Sequence, residues 1–527
     1  MSKKPLITET KDVKWKSWHK TKHVGGEVFR IFKPQNKYQD GKTPEKAFLP
    51  GLAGLREIIK NAAADNKRVR AYGSRWSLNN IAYNNEFLVD SSELNYCLVG
   101  LEDPKHVSPG FEAKRDGLVF VQCGVMVRDL NRKLQILNLA LPTSGASDGQ
   151  RFAGAVSTGT HGSAHSIGSM QDYVRGIHLV VSADESVFIQ PKSAPVVTND
   201  FCSWLGETRL IQDDELFNAA LVGLGGFGLV HGLLIEPEPI YILKRLIKHF
   251  HYSDVKNAIS SLDMNGLDLP QGEKLPFHFE VIVNPYRRRK THKGAFVRVM
   301  YKDTFQTQKG TFSIQGYPKR NNDIIESTGL YYDKPFYSPI DIPLVVQSAL
   351  RHALPATESG IVEFGFPGDQ FQSRFVGRDS SPILFRMSSI EIAIPLDRVD
   401  DAQKIVFAVI RKRKFEAPLA FRYVKSSSAM LAFTRFAPVT VTMEMPGLDN
   451  DRSRKAHKAI FAAMADSDIP HTFHWGKSLP LNSDWVSKSY GDETVKTWKK
   501  RRLELLGEKG CRMFSNRLLE TIGLHHT

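Results

Sequence analysis

The feature that most constrains this chain is the run of small residues FAGAVSTGTHGSAHSIGSM, from position 152 to 170. Within its AGAVSTGT core, Val156 is the only bulky side chain. A backbone this bare lets another group approach closely, and its N–H groups, with the hydroxyls of Ser157, Thr158 and Thr160, can surround an anion. A Gly- and Ser-rich surface loop is the alternative, but linkers rarely combine such a run with β-branched residues and a histidine. We therefore predict a concave site for a diphosphate.

A second small-residue turn lies within RAYGSRWSLNN, at 70–80. Residues 52–66 carry apolar side chains at helical spacing, and residues 67–72 alternate as a short strand does. The strand then runs into the turn GSRWS at 73–77, in which small residues let the backbone lie against a phosphate. A large indole, Trp76, is unexpected in such a turn.

The hexapeptide GLGGFG at 223–228 matches the dinucleotide fingerprint G-x-G-x-x-G, but its surroundings do not. A helix-like segment, 213–222, precedes it and a strand-like segment, 229–237, follows it, whereas the fingerprint requires the reverse order. The sequence therefore argues against a nicotinamide-binding Rossmann fold.

Length and composition predict a large folded protein of the cytoplasm. A chain of 527 residues exceeds one compact core, so we expect two domains, or one domain with a large insertion. The four cysteines are scattered without a CxxC pair, which disfavours a disulfide framework and a zinc site, and we expect no bound metal. No apolar stretch is long enough for a membrane span. The net charge of +15 suggests an anionic partner, yet the basic runs lie in no recognisable binding module for nucleic acid, and we expect none.

In their order along the chain, these motifs resemble the FAD flavoproteins of the vanillyl-alcohol oxidase and p-cresol methylhydroxylase (PCMH) type. Within that family they are similar to the aldonolactone oxidases of L-gulonolactone and D-arabinonolactone and to the alditol oxidases. GSRWS at 73–77 stands at the family's Gly-Ser-x-His-Ser, and AGAVSTGTHGS at 153–163 at its Ala-Gly-Ala-x-x-Thr-Gly-Thr-His-Gly-Ser. DELFNAALVGLGGFGLV at 214–230 matches the family's Glu-Leu-Phe helix and glycine loop, and HWGK at 474–477 its His-Trp-Gly-Lys.

The resemblance implies an α+β fold in which a two-part PCMH-type FAD-binding domain carries an inserted α+β cap for the substrate. Residues 1–240 would form the N-terminal part of the FAD-binding domain, 241–468 the cap, and 469–527 a C-terminal tail that returns to the FAD-binding domain. In the cap, SSIEIAIP at 388–395 is similar to a strand of the family's cap sheet, and 316–339 has a loop-like composition.

The same resemblance implies that FAD lies against both small-residue segments and the glycine loop. The residues implied to hold it are Tyr72, Gly73, Ser74, Arg75, Trp76, Ser77, Gly145, Ala146, Ser147, Gly154, Ser157, Thr158, Gly159, Thr160, His161, Gly162, Ser163, Gly225, Gly228 and Val230.

Trp76 occupies the position at which many of these oxidases carry a histidine bonded to the C8 methyl carbon of the flavin. The lone pair of an indole nitrogen belongs to the aromatic system, so Trp76 is a hydrogen-bond donor and not a nucleophile. The small-residue stretch 152–170 also contains no cysteine that could form a thioether. We therefore expect non-covalent FAD.

The catalytic pattern of the family is incomplete in the cap. The lactone enzymes carry Pro-x-Glu-x-Arg on a strand, and here the stretch is PLAFRY at 418–423, so Arg422 matches but Ala420 replaces the carboxylate. In VTVTMEMPG at 439–447, period-2 alternation places Glu444 on the face opposite the methionines. Glu444 is the candidate replacement base, and a solvent-facing glutamate is the alternative.

His474 and Lys477 carry over from the family's His-Trp-Gly-Lys, in which the lysine lies near N1 and the C2 carbonyl of the flavin and favours its reduced form. The resemblance thus implies hydride transfer from a carbon bearing a hydroxyl, in a small-molecule substrate, to flavin N5, with O2 or another electron acceptor. Two alternatives stay open because residues 76 and 420 depart from the family. They are a flavin dehydrogenase or oxidative cyclase with a non-sugar substrate, and a flavin-binding protein without turnover.

Overall fold

The computed structural model describes most of the chain. The described residues are 4–289, 291–305, 340–355, 363–365 and 386–525. Helices and strands are mixed throughout them, and the predicted α+β class is confirmed. The loop-like stretch 316–339 lies outside the described residues. None of the described helices combines the length and the apolar character that a bilayer crossing needs.

The first 240 residues form two larger sheets and a two-stranded ribbon. The strands are β1 (Pro5–Lys16), β2 (Gly25–Tyr38), β3 (Val69–Tyr72), β4 (Phe87–Asp90), β5 (Cys97–Val99), β6 (Val119–Gln122), β7 (Leu139–Ala140), β8 (Val174–Val180), β9 (Ser186–Gln190), β10 (Arg209–Gln212), β11 (Leu229–Ile235) and β12 (Glu238–Pro239). The α-helices are α1 (Leu49–Ala64), α2 (Val127–Ile136), α3 (Phe152–Ser157), α4 (Asn199–Trp204) and α5 (Asp214–Leu221). Short 3₁₀ helices span Pro104–His106, Glu112–Gly117 and Met170–Tyr173.

The first sheet has the strand order β1-β2-β4-β3. β1 and β2 form an antiparallel hairpin, and β4 lies parallel to both β2 and β3. α1 packs on this sheet through Leu55, Ile58 and Ile59, which share one helix face. The helix and strand predicted for 52–72 are confirmed. The helix begins a few residues earlier because Pro50 sits in its first turn, where a missing N–H costs nothing.

The second sheet has the strand order β10-β9-β8-β11-β6-β5. Its strand β11 runs antiparallel to both neighbours, β8 and β6. Helix α5 precedes the glycine loop 223–228 and β11 follows it, so the predicted order of helix, loop and strand is confirmed. This context is the reverse of the one that the dinucleotide fingerprint requires.

The rest of the chain forms one large sheet with helices on it and a helical C-terminal segment. The strands are β13 (Tyr241–Phe250), β14 (His278–Val283), β15 (Ala295–Thr304), β16 (Glu363–Gly365), β17 (Met387–Pro395), β18 (Leu419–Lys425), β19 (Val439–Leu448) and β20 (Thr472–Phe473). The α-helices are α6 (Tyr252–Ser261), α7 (Ile342–Ala353), α8 (Val399–Lys412), α9 (Asp451–Ala465), α10 (Asp484–Tyr490), α11 (Asp492–Met513) and α12 (Arg517–Thr521), and a 3₁₀ helix spans Leu396–Arg398.

The eight described strands of this large sheet, called the cap sheet below, lie in the order β16-β13-β15-β14-β18-β19-β17-β20. Side chains alternate between its faces. One face, with Phe421 and Met443, packs in the main apolar core together with side chains of α6, α8 and α9. The other face carries Ile282 and Phe296 against α7. β20 completes the sheet by pairing with β17, although it falls within the range 469–527 assigned to the tail.

The C-terminal helices contact the first part of the chain. Trp498 Nε1 donates to the carbonyl of Ala219 at 3.1 Å, and Arg502 Nε donates to the carbonyl of Gly226 at 2.7 Å. Both acceptors lie in or beside the glycine loop and α5. These contacts agree with a tail that returns to the N-terminal part, and the boundaries at 240 and 468 stay a prediction.

Candidate active site

The turn after β3 is held by the loop between β1 and β2. Arg75 has a left-handed backbone, with φ of 58°, which reverses the chain within the turn. The N–H of Trp18 donates to the Arg75 carbonyl at 2.7 Å, and the rings of Trp18 and Trp76 stack with centroids 6.0 Å apart. Trp76 thus packs against the N-terminal hairpin.

The small-residue stretch begins as the short helix α3 and continues as a loop. Ser157 Oγ donates to the Ala153 carbonyl at 2.8 Å, and Thr158 Oγ1 donates to the Gly154 carbonyl at 2.9 Å. A hydroxyl has a single proton, so these two side chains keep only acceptor lone pairs for a ligand. Donation by these hydroxyls to an anion stays a prediction and would require them to rotate away from the two carbonyls.

One deep cleft collects most of the predicted site residues. It encloses about 2070 Å³ of empty space, including its open mouth. The catalytic candidates Arg422, Glu444, His474 and Lys477 line it. The predicted cofactor residues that line it are Tyr72, Gly73, Ser74, Arg75, Trp76, Ser77, Ala146, Ser147, Gly154, Ser157, Thr158, Thr160, His161, Gly225, Gly228 and Val230.

The structure does not bring all predicted cofactor residues to the cleft. Those outside its lining are Gly145, Gly159, Gly162 and Ser163. A Cβ at Gly145 would lie 2.5 Å from the methyl group of Thr160, so this glycine permits close packing. Gly159 has a φ of 73°, which ends α3 with a turn that favours glycine. The Gly162 carbonyl bonds Nδ1 of His161 at 2.9 Å.

Ser163 connects the small-residue stretch to the cap sheet. Its side chain is fully buried, accepts the N–H of Tyr423 at 3.1 Å and donates to the carbonyl of Phe279. These two partners belong to β18 and β14. Ser163 therefore fixes the position of the cap relative to the cleft instead of lining it.

The cleft suits a ligand with a diphosphate. Arg70 lines it, is 3% exposed and donates to the carbonyls of Gly225 and Leu224, yet it has no carboxylate partner among the described residues. Burial lowers the pKa of Arg70 to about 9. The buried hydroxyl of Ser74 also finds no partner in the described part of the chain, and a Cβ at Gly154 would meet nothing within 4 Å. An anion beside the buried cation and the spare hydroxyl would stabilise both, so these residues fit FAD.

A layer of charged side chains on the cap sheet lies at the other side of the cleft. Five neighbouring strands contribute one residue each: Arg298 from β15, Glu280 from β14, Arg422 from β18, Glu444 from β19 and Glu391 from β17. Glu280 bonds Arg298 and accepts from Arg422 Nε at 2.8 Å. Arg422 Nη1 donates to Glu444 at 2.5 Å. The strand register places all five on one face of the sheet.

Lys477, from the HWGK motif, lies beside Glu444 at the end of this layer of charged side chains. Its Nζ pairs with Glu444, and Ser389 Oγ donates to the same carboxylate oxygen at 3.1 Å. Glu444 lies between Arg422 and Lys477 and is 3% exposed, so it does not face solvent. Burial raises the pKa of Glu444, but Lys477 and Arg422 hold it below its ordinary value.

Glu444 stands next to the missing carboxylate position. Ala420 on β18 is directly opposite Glu444 on β19. Directly opposed residues on antiparallel strands project to the same face, with Cβ atoms about 4.5–5.5 Å apart. The carboxylate absent at residue 420 is therefore present one strand away.

A second buried group borders the layer. Ligand atoms of His161, Glu391 and His474 lie within 4.8 Å of one another. His161 Nδ1 donates to the Gly162 carbonyl, and its Nε2 is 3.1 Å from Glu391, so the ring bridges a backbone carbonyl and a buried carboxylate. Burial raises the pKa of Glu391, but the charges of His161 and Lys477 hold it well below its ordinary value.

The position of the proton on the neutral His474 ring decides whether His474 could bind a metal ion together with His161 and Glu391. His474 Nδ1 accepts the N–H of Gly476 at 2.9 Å, so the proton of the neutral ring lies on Nε2. Burial lowers the pKa of His474 to about 3, which keeps the ring neutral. A protonated Nε2 offers no lone pair to a cation. The arrangement favours a hydrogen-bonded network over a metal centre.

Sequence reasoning missed several residues of the site. Glu280 and Glu391 are fully buried in the charged layer, and His19 lines the cleft from the loop between β1 and β2. The alternation of SSIEIAIP could have placed Glu391 on the face of Ser389. No signal in the sequence distinguishes Glu280 or His19 from residues that face solvent.

Residues 52–189 match a family described as an FAD binding domain. This range contains both the turn 73–77 and the small-residue stretch that line the cleft. The chain contains an FAD-binding domain, and it resembles the flavoproteins of the vanillyl-alcohol oxidase and p-cresol methylhydroxylase type. The resemblance predicted from the ordered motifs is confirmed.

Relatives and solved structures resemble this flavoprotein over shares of its length that range from 38% to 98%. L-gulono-1,4-lactone dehydrogenase from Mycobacterium tuberculosis is 23% identical over 432 residues, which cover 81% of this flavoprotein and 84% of the relative. D-arabinono-1,4-lactone oxidase from Debaryomyces hansenii is 28% identical over 204 residues, or 38% of this flavoprotein and 33% of the relative. Cholesterol oxidase from Brevibacterium sterolicum has the same fold, with a TM-score of 0.67 at 14% identity over 98% of this flavoprotein and 97% of that chain. The flavoprotein therefore belongs among FAD-dependent oxidoreductases.

Proposed function

We propose that this flavoprotein holds FAD without a covalent bond and uses it to remove a hydride from a carbon that bears a hydroxyl. The ion triple of Arg422, Glu444 and Lys477 carries the proposal, since it lines the cleft and offers both donors and an acceptor to a substrate hydroxyl. Relatives named for aldonolactones support a hydroxylated lactone or a polyol as the donor.

The cofactor and the protein residues contribute different parts of the proposed reaction. FAD bound in the cleft would supply the hydride-accepting chemistry, with O2 or another acceptor as the final oxidant. The residues of the cleft orient the donor, take up its hydroxyl proton and stabilise the charge that develops on its oxygen.

Glu444 is the proposed proton acceptor. A carboxylate between two cations is a weak base, as the lowered pKa of Glu444 indicates. The hydroxyl of an alcohol becomes strongly acidic as its carbon loses a hydride, because positive charge develops on that carbon. A weak base within hydrogen-bond reach, directly or through a water, is then sufficient.

Arg422 and Lys477 are the proposed charge-stabilising residues. A cation ~4 Å from a developing negative charge contributes about 4 kcal/mol at an effective dielectric of about 20. Glu280 holds the Arg422 guanidinium through Nε at 2.8 Å, which fixes the direction of the remaining N–H groups. Lys477 is less buried than Arg422, with 22% of its side chain exposed.

Flavin content and reduction test the proposal first. The purified protein should be yellow, and acid precipitation should leave the flavin in the supernatant, because Trp76 has no nucleophilic nitrogen. Anaerobic addition of L-gulono-1,4-lactone, D-arabinono-1,4-lactone or a polyol such as sorbitol should bleach the flavin. A colourless protein, or a yellow one that none of these donors bleaches, would contradict the proposed activity. Reoxidation by O2, compared with reoxidation by a dye, then identifies the class of acceptor.

Replacement of Glu444 by glutamine tests its role directly. Glu444→Gln keeps the shape of the side chain and removes the charge, so FAD should still bind while anaerobic reduction slows by roughly 100-fold, the usual scale for loss of a general base. Glu416→Gln is the matched control, since Glu416 is a fully buried, arginine-paired glutamate that does not line the cleft. Unchanged reduction in Glu444→Gln would exclude it as the base. If Arg422→Met also reduces normally, the cap performs a different chemistry.

A further inference from the structure

Glu280 binds two arginines that line the cleft. On the cap sheet it stands directly opposite Arg298 of β15 and directly opposite Arg422 of β18. One carboxylate oxygen accepts from Arg422 Nε at 2.8 Å, and the other pairs with Arg298 Nη2. Both arginines belong to the lining of the cleft, whereas Glu280 is fully buried and does not. A carboxylate inside the protein therefore binds both guanidinium groups before any substrate enters.

The charged layer as a whole is electrically balanced. Its cations are Arg298, Arg422 and Lys477, and its carboxylates are Glu280, Glu444 and Glu391. Each of these cations lies within ion-pair distance of at least one of the carboxylates. Equal numbers of positive and negative groups leave the layer without net charge. Arg70, which has no carboxylate partner among the described residues, lies beside the glycine loop, where it suits the diphosphate of the cofactor.

Glu280 remains ionised at neutral pH. Burial raises the pKa of Glu280, but the charges of Arg298 and Arg422 hold it below its ordinary value. A donor that carries a carboxylate would have to leave water and meet cations that are already paired. The lost hydration is then not offset by a net opposite charge. An uncharged donor needs only hydrogen bonds, which the guanidinium groups and Glu444 can form with its hydroxyls.

We propose that Glu280 is a specificity-determining residue that restricts the cleft to uncharged donors and excludes donors with a carboxylate. Glu280 acts through Arg298 and Arg422 and does not contact the donor. This inference rests on the proposed oxidation of hydroxylated donors, and it separates lactones and polyols from hydroxy acids. Without the charge of Glu280, two neighbouring guanidinium groups at the cleft would form a site for a carboxylate.

Sorbitol and L-gulonate form a matched pair for the test. They share one hydroxylated carbon chain, and one end of it is CH2OH in sorbitol but a carboxylate in L-gulonate. L-gulono-1,4-lactone, the cyclic form of L-gulonate, is a second uncharged ligand. Anaerobic titration of the oxidised holoenzyme at about pH 8, where histidines are ordinarily neutral, gives apparent Kd values from the flavin spectrum. Competition against the lactone detects binding that leaves the spectrum unchanged. The parent should bind L-gulonate at least about 10-fold more weakly than the better of the two uncharged ligands.

Glu280→Gln keeps the shape of the side chain and gives the charged layer a net positive charge. The affinity for L-gulonate should therefore rise at least about 10-fold, while the affinity for the uncharged ligands changes by less than about 3-fold. The double variant Glu280→Gln/Arg298→Gln restores the balance and should lose the gain. Glu416→Gln, which removes a buried, arginine-paired carboxylate away from the cleft, should behave as the parent. If Glu280→Gln does not fold, Glu444→Gln leaves the same net charge beside Arg422 and should show the same gain.

Three results would overturn the inference. A parent that binds L-gulonate as tightly as the uncharged ligands would show that the charged layer accepts a carboxylate. Equal or absent changes for all ligands in Glu280→Gln would leave Glu280 a purely structural role. An equal gain in Glu416→Gln would assign the effect to the overall charge of the protein. If no uncharged ligand binds to the parent or reduces it, the proposed function fails, whereas a gain of L-gulonate affinity in Glu280→Gln would still support the role of Glu280.

Discussion

At the scale of single residues, the proposed position of one carboxylate differs from the position that the resemblance to lactone oxidases implies. Their carboxylate position on the cap strand is Ala420 here, and Glu444 stands directly across from it on the neighbouring strand. Both side chains are buried at the same cleft. A move between directly opposed residues shifts the backbone origin of the carboxylate by one strand spacing, about 4.8 Å, a distance that a glutamate side chain can span.

We predict that the carboxylate can be moved back. Glu444→Ala should slow anaerobic flavin reduction by roughly 100-fold, and the double variant Ala420→Glu/Glu444→Ala should recover at least about 10-fold of that loss, because Arg422 and Lys477 regain a carboxylate between them. Ala420→Gln/Glu444→Ala has the same shape without the charge and should recover nothing. Equal rates in the two double variants would show that the position of the carboxylate, and not its presence, determines the rate. Rapid mixing under anaerobic conditions measures all four proteins.

At the scale of elements, neighbouring strands in the core of the second sheet share a buried histidine pair. His178 on β8 and His231 on β11 have their Nδ1 atoms 2.9 Å apart, and both rings are fully buried. Gln122 and Thr208 bond the two Nε2 atoms at 3.0 Å each. A single proton between the Nδ1 atoms makes a hydrogen bond, and a second proton there would set two N–H groups against each other. Burial lowers the pKa of His231 to about 3 and that of His178 well below 6.5.

This pair should make the stability of the protein sensitive to acid. Both rings are neutral when folded and take up protons when the chain unfolds below pH 6.5, so their contribution is complete above pH 6.5 and is lost as the pH falls toward 3. Each such histidine lowers the free energy of unfolding by about 1.4 kcal/mol per pH unit in that range. His231→Gln, which does not titrate, should remove about one such increment from the slope measured between pH 6 and 4.5. The exposed His23→Gln should leave the slope unchanged, and an unchanged slope in His231→Gln would contradict the assignment.

At the scale of the whole molecule, segments far apart in sequence meet at the cleft. Arg70 donates to carbonyls of Ile81, Leu224 and Phe514, and so joins β3 to the glycine loop and the C-terminal segment. Asn516 Nδ2 donates to the carbonyls of the loop 80–83, which follows the turn at the cleft wall. Backbone carbonyls bonded by buried side chains leave these loops little freedom, which a site for a rigid cofactor requires.

The FAD-binding motifs could be recognised from the sequence because their signals are local. The turn 73–77, the stretch 153–163 and the glycine loop 223–228 work through backbone conformations that small residues permit, and such preferences are encoded in a few adjacent residues. Their order was sufficient to indicate the cofactor class. The exact lining was not predictable, since Ser163 lies within the most specific motif and yet connects to the cap sheet.

The sequence by itself determined the FAD-binding class and the absence of a histidine at position 76, because each depends on residue types within a short segment. The order of the motifs along the chain indicated the α+β fold. Only the tertiary structure decided the charged layer, because Glu280, Arg422 and Glu444 become neighbours through strand register. Part of that register depends on the pairing of β14 with β18, two segments more than a hundred residues apart. The same is true of His19, whose loop meets Met387 across the fold. A charged or polar residue on a strand or loop has no local mark of burial, and its partners become known only when the chain has folded.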